Sequence, residues 1–171
     1  MEASIVSFEQ WLKTVPEVVS NDPIWRMSAY RYALFFSDLV WRDATKLLGD
    51  KRTISVADQL LRASGSIHAN LTEGYAYSTG GNRAKYYEYA LGSARESRDW
   101  YWEARHILGD EVYQHRTNYL TQIISLLVTS IPTQRVTSLR ETNAEYKTNS
   151  TINSDTISTE ILFLLENIPF A

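Results

Sequence analysis

The chain has 171 residues, 44% of them hydrophobic, no cysteine and a formal net charge of -3. That length suits one domain with a sizeable core, and the missing cysteine excludes a disulfide framework, a thiol nucleophile and cysteine-ligated zinc. No charged leader followed by an apolar run opens the chain, and no apolar run of about 18 residues follows, so a soluble, cytoplasmic protein with no membrane partner is expected.

The charge is unevenly spread. Residues 23–140 hold 15 Lys and Arg against 11 Asp and Glu, whereas residues 1–22 hold one against four and residues 141–171 one against five. The body is mildly basic and both ends are acidic. An excess this small reads first as solvated surface charge and only secondarily as an anion-binding surface.

In chain order, "SFEQWLKT" (7–14) has the Ser-x-x-Gln spacing of a capping box and predicts a short helix ending near Pro16. Asp22 as N-cap and Pro23 at the first helical position predict a long helix from Pro23 to about Leu48, stopped at Gly49. Its polar groups (Ser28, Arg31, Asp38, Arg42, Thr45) form one narrow stripe. The apolar arc is therefore wider than the ~100° that the outside of a monomeric bundle needs. Other segments or another subunit must cover its second side.

A second long helix is predicted over Ile54–Tyr77, with Val56, Leu60, Ala63, Ile67 and Leu71 facing inward. "STGG" (78–81) reads as a turn whose glycines are free to take positive φ. A third helix is expected over Asn82–Leu108, and a fourth over Asp110–Ile131, stopped by Pro132. Short connections between long helices predict an all-α, antiparallel up-down-up-down four-helix bundle. The organisation is a 1–22 extension with a short helix, a 23–135 bundle, and a 136–171 tail. Of residues 142–159, 11 of 18 are Ser, Thr or Asn, which predicts disorder. The tail ends in a short apolar segment, "EILFLLENIPF" (160–170), suited to docking on the bundle or a neighbour.

A search for chemistry finds no catalytic set, no cofactor and no metal. A bundle di-metal site needs two Glu-x-x-His pairs; Glu103 with His106 supplies one, and His68 and His115 do not complete another. His115 four residues after Glu111 is an ordinary helix-surface spacing. No phosphate loop or triad is implied. Small residues at Ala57, Ala63–Ser66 and Ala69, and at Ala90, Gly92–Ala94 and Ser97, allow the second and third helices to approach closely. Arg62, Ser66, Ala69 and Glu73 share one helical face with Asn70 at its edge, and Arg62 is expected to pair with Glu96 across the close interface. "RESRDWYWEAR" (95–105) interleaves arginine with tryptophan and tyrosine, which suits either a packed interface or stacking on a single-stranded nucleic acid.

The stretch beginning "QLLRASGSIHANLTEG" (59–74) resembles a four-helix-bundle protein family first noticed as reading frames in 23S rRNA intervening sequences. Gln59, Arg62, Ala63, Ser66, Ile67, Asn70, Glu73 and Gly74 match that family's first motif, and Gly92, Ser93 and Glu96 its second. The resemblance spans about residues 23–131. It implies a ring-forming homo-oligomer, in particular a homopentamer. More distantly, the chain is similar to the accessory proteins of diversity-generating retroelements, which are strongly basic and bind nucleic acid and a reverse transcriptase; the pI here is about 5.6. Two functions are expected: a non-enzymatic oligomeric scaffold acting on itself and a protein partner, or a nucleic-acid-binding ring using Lys46, Lys51, Arg52, Arg83 and Lys85.

Overall fold

The computed structural model describes residues 7–137 and 159–170, and among these the protein is all-α. Helices α1 (Phe8–Leu12) and α2 (Glu17–Ser20) lead through a 3-10 turn at Pro23–Arg26 into α3 (Ser28–Leu47). Three more long helices follow, α4 (Ile54–Ala76), α5 (Gly80–Leu108) and α6 (Asp110–Thr137), and a short α7 (Thr159–Glu166) closes the described chain. α4 packs along α5 and α5 along α6, with α3 against α4. The short connections make consecutive helices antiparallel. Of the stretch 142–159 predicted to be disordered, residues 142–158 lie outside the described residues, and Thr159 is the first residue of α7.

Several boundaries differ from expectation, each for a local reason. The capping signals at Asp22 and Pro23 are used, with Asp22 accepting from the Ile24 amide at 3.0 Å, but they nucleate a single 3-10 turn. Met27 is extended (φ -82, ψ 111) and separates that turn from α3. The break lets Ile24 bury and Trp25 stack on Trp11, centroids 6.1 Å apart. Arg31 then donates to the Trp25 carbonyl, 3.2 Å, and to the Ser28 hydroxyl, 3.2 Å.

Gly80 and Gly81 are the first two residues of α5 rather than turn glycines. Tyr77 and Thr79 make the corner in extended conformations, so no positive φ is required there. Gly109 is the described residue with positive φ (89°), and it allows α6 to start one residue after α5 ends. Pro132 does not stop α6. It removes one amide donor near the helix end, where the Arg83–Gln134 bond (3.0 Å) and the Arg135–Glu88 ion pair hold the following turn.

Much of the wide apolar arc of α3 is covered within the chain, with Trp41 left 70% exposed. One side meets the bundle, where Phe36 lies against Tyr101 and Tyr119. The other meets α1, where Phe8 and Trp11 pack on Phe35 and Phe8 on Tyr32. α7 lies against α6 and α1 and buries Ile161, Leu164 and Leu165 in the same core.

The closest approach of α4 and α5 is at Gly74. A Cβ there would stand 2.9 Å from Tyr86 Cβ and 2.9 Å from Tyr87 Cε1. Gly74→Ala is expected to cost about 1–3 kcal/mol through overpacking, lowering the melting temperature by roughly 3–10 °C. A thermal melt followed by circular dichroism checks this; an unchanged melt would show that the two helices separate freely.

Candidate functional site

The motif residues come together, but on the outside. Arg62, Glu73, Gly92 and Glu96 are exposed, and Gln59, Ser66, Asn70 and Ser93 are half-buried, along one outer face of α4 and α5. The Tyr86 hydroxyl, shared between Tyr77 and Glu73, ties the two helices at one end of that face; those two partners hold its pKa above the usual phenol value. Of the motif, Ala63, Ile67 and Gly74 are buried.

The expected Arg62–Glu96 bridge is not formed. Arg62 pairs with Asp58 at 2.7 Å, one turn away on its own helix, with 61% of its side chain exposed. Glu96 accepts from the Trp100 indole at 3.3 Å. Ser66 donates to the Arg62 carbonyl, Asn70 to that of Ser66 and Ser93 to that of Tyr89. These hydroxyl and amide groups are satisfied by the preceding turn and draw no bond from the neighbouring helix. Small residues thus leave open space above both helices: among the described residues, a Cβ at Gly65 or Gly92 would meet nothing within 4 Å. Farther along α5, Glu96, Asp99, Trp100, Trp102 and Glu103 line a surface groove of about 420 Å³.

The five candidate cations do not form one patch. Lys46, Lys51 and Arg52 flank the α3–α4 turn, and Arg83 and Lys85 start α5 at the other end of α4, a helix of 23 residues and so about 35 Å long. Arg52 is engaged by Asp50 at 2.5 Å. Arg83 donates to Gln134 and to the Tyr77 carbonyl, and Lys85 lies over Tyr89, 5.8 Å from the ring centroid. Sequence reading missed the aromatics beside them: Tyr75, Tyr77 and Tyr89 are exposed, and Tyr77 stacks on Tyr86 at 5.0 Å. Glu103 and His106 are both exposed, and among the described residues no three His, Cys, Asp or Glu gather as metal ligands.

A second polar cluster is buried. Arg116 of α6 is 0% exposed and Asp43 of α3 is 2% exposed. Arg116 Nε donates to Asp43 Oδ2 at 2.8 Å and Nη2 to Oδ1 at 3.1 Å, and the Tyr101 hydroxyl of α5 donates to Oδ2 at 2.7 Å. His115, expected on the surface, is 7% exposed. Its Nε2 lies 2.7 Å from the Leu164 carbonyl and its Nδ1 2.8 Å from Arg116 Nη1. A carbonyl can only accept and a guanidinium can only donate. The imidazole is therefore the neutral Nε2–H tautomer. Burial first, then the adjacent Arg116 charge, pushes its pKa down from 6.5 to about 4, against the opposing pull of Asp43. Burial, followed by Asp43, likewise holds the Tyr101 phenol well above its usual pKa.

A signal for this cluster exists in the sequence. Asp43 sits four residues from both Leu39 and Leu47, and Arg116 four residues from both Val112 and Leu120, each inside an apolar stripe. An acid and an arginine at core positions of different helices are natural partners.

The chain matches the model of the 23S rRNA-intervening sequence protein family over residues 26–133. It belongs to that family. A solved structure from Bacteroides thetaiotaomicron, a protein of unknown function from the S23 ribosomal protein family, is similar with a TM-score of 0.57 and 23% identity. The alignment covers 60% of this chain and 97% of that one. At that identity it supports the shared fold. No curated protein matches the sequence. Among the described residues no helix is long and apolar enough to cross a membrane.

Two expectations separate the clusters. Asp43→Ala strands a buried guanidinium and should cost about 3–5 kcal/mol, whereas Arg62→Ala removes an exposed pair worth at most about 1 kcal/mol. Urea unfolding of both variants checks the ranking, and equal losses would contradict it. For His115 the folded pKa is the lower one, so on acidification the unfolded chain binds the proton first. Stability is full above about pH 6.5 and drains between there and about pH 4, by at most about 3 kcal/mol. His115→Gln, whose amide can donate and accept in the same places, should flatten that dependence; equal slopes in urea melts at pH 7 and 4.5 would contradict the assignment.

Proposed function

We propose that the protein is a non-enzymatic, cytoplasmic scaffold that assembles with copies of itself through the outer face of α4 and α5. The observation that carries this is the pair of helical glycines, Gly65 of α4 and Gly92 of α5, at each of which a Cβ would meet nothing among the described residues. Glycine in a helix interior costs about 1 kcal/mol relative to alanine, and no contact among the described residues offsets that cost. A second backbone approaching from outside would. Around the glycines, Ser66 and Ser93 have already satisfied their hydroxyl donors on their own helices, and Asn70 one of its two amide donors, so burying the two serines strands no donor. An interface that pairs this face with a different surface of the next copy closes into a ring when the rotation permits. Five is the subunit number implied by the family resemblance.

The exposed tyrosines beside Lys85 favour a second reading, in which the α4–α5 corner stacks single-stranded nucleic acid. Its signature is a binding constant that falls steeply with salt, by roughly 0.7 log units per log unit of salt for each phosphate neutralised on a single strand. A flat response would remove this reading.

The assembly reading is tested with Gly65→Leu and Gly92→Leu combined. Leucine is a good helix former, and the space above both positions is open, so the helical spectrum should be unchanged. Sedimentation velocity should show the native chain well above its 19.6 kDa protomer mass and the double variant as protomers. A double variant that sediments like the native chain would contradict the proposal.

A further inference from the structure

The segment after residue 158 is held in an unusual way. α7 and the four residues behind it place Ile161, Leu164, Leu165 and Ile168 in the core, while Phe163 is left 64% exposed. The polar anchoring comes from the bundle and is aimed at main chain. His115 donates to the carbonyl of Leu164, and Arg116 to that of Pro169 at 3.1 Å. Both carbonyls need outside donors, because the last carbonyls of a helix and those beyond it have no partner in the helix. Arg42 adds a cation–π contact, 5.0 Å from the Phe170 centroid.

The polar groups of the receiving side are held by partners within the bundle. Asp43 and Tyr101 orient Arg116, Arg116 fixes the tautomer of His115, and both donors then face the groove with their partners' geometry already set. These four residues lie inside the family match of 26–133, whereas α7 lies outside it. Between Thr137 and Thr159 run 21 residues, a connection that can extend to about 70 Å. That is longer than any helix of the body.

We propose that this groove is a peptide-binding site and that residues 159–170 are its ligand, so that the segment of a second copy can occupy it in place of the chain's own. The ligand class is a short amphipathic helix followed by an extended apolar Ile-Pro-Phe end. It is read through two carbonyls by buried donors and through apolar pockets for Ile161, Leu164, Leu165 and Ile168. This inference does not depend on the α4–α5 face: a protomer that never assembles through that face would still bind the segment.

The test uses the full chain carrying a specific protease site in place of residues 148–153, folded first and cut afterwards. Synthetic peptide 157–171 bearing a fluorophore is the probe. After cutting, the released segment should co-elute with the body at micromolar concentration and be displaced by excess probe, with saturable anisotropy. Uncut protein should bind the probe at least tenfold more weakly, because the tethered segment competes at a high effective concentration. A probe carrying Leu164→Asp and Ile168→Asp should not bind, and this control leaves the receptor untouched. A cut body that loses the segment and fails to take up the probe would overturn the proposal. So would a segment that never exchanges, or a body that unfolds once the segment leaves.

Discussion

The buried Asp43–Arg116 pair is the constraint around which the described structure is arranged. One carboxylate takes two bonds from α6 and one from α5, and the guanidinium that supplies two of them also reaches His115 and Pro169. Taking such a pair out of water costs several kcal/mol per ion, and good geometry only offsets that cost. Its value lies in specificity. α3, α5, α6 and the last segment can each slide along an apolar surface with little penalty, but one register alone gives every donor in this cluster an acceptor. Among the described residues, Arg83 Nε is the buried side-chain polar atom left without a partner, and it lies away from the cluster.

Legibility in the sequence divides along physical lines. The four long helices were readable because apolar spacing, Gly109 and the short connections all point the same way. The break at Met27 was not, because it arises from tertiary packing of Ile24 and Trp25 on α1, which no local rule contains. Pro132 misled for a related reason: proline penalises a helix interior, but contacts from α5 hold the turn beyond it. The wide arc of α3 needs cover, and one side of it is met by the chain's own α1, while Trp41 stays 70% exposed.

The motif at 59–74 shows the opposite failure. Its spacing correctly put Arg62, Ser66 and Glu73 on one face, yet periodicity gives a face and not what the face meets. Gly74 does serve close helix packing. Ala63 and Ile67 are core, whereas Arg62, Ser66 and Asn70 bond within their own helix on its outer side. The buried cluster was missed because charged residues were read as surface by default. Asp43 and Arg116 were legible only as exceptions to the apolar stripes that contain them.

In the proposed account, two surfaces have separate roles. An inner groove, organised by buried charge, holds a short apolar segment by its main chain. An outer face, thinned by glycine and small hydroxyl residues, is open to another backbone. The most direct test of the outer face is native mass spectrometry of the full chain purified without nuclease, with absorbance read at 260 and 280 nm. The account predicts a single closed oligomer, a multiple of 19.6 kDa, carrying no nucleic acid. A protomer at micromolar concentration would contradict it.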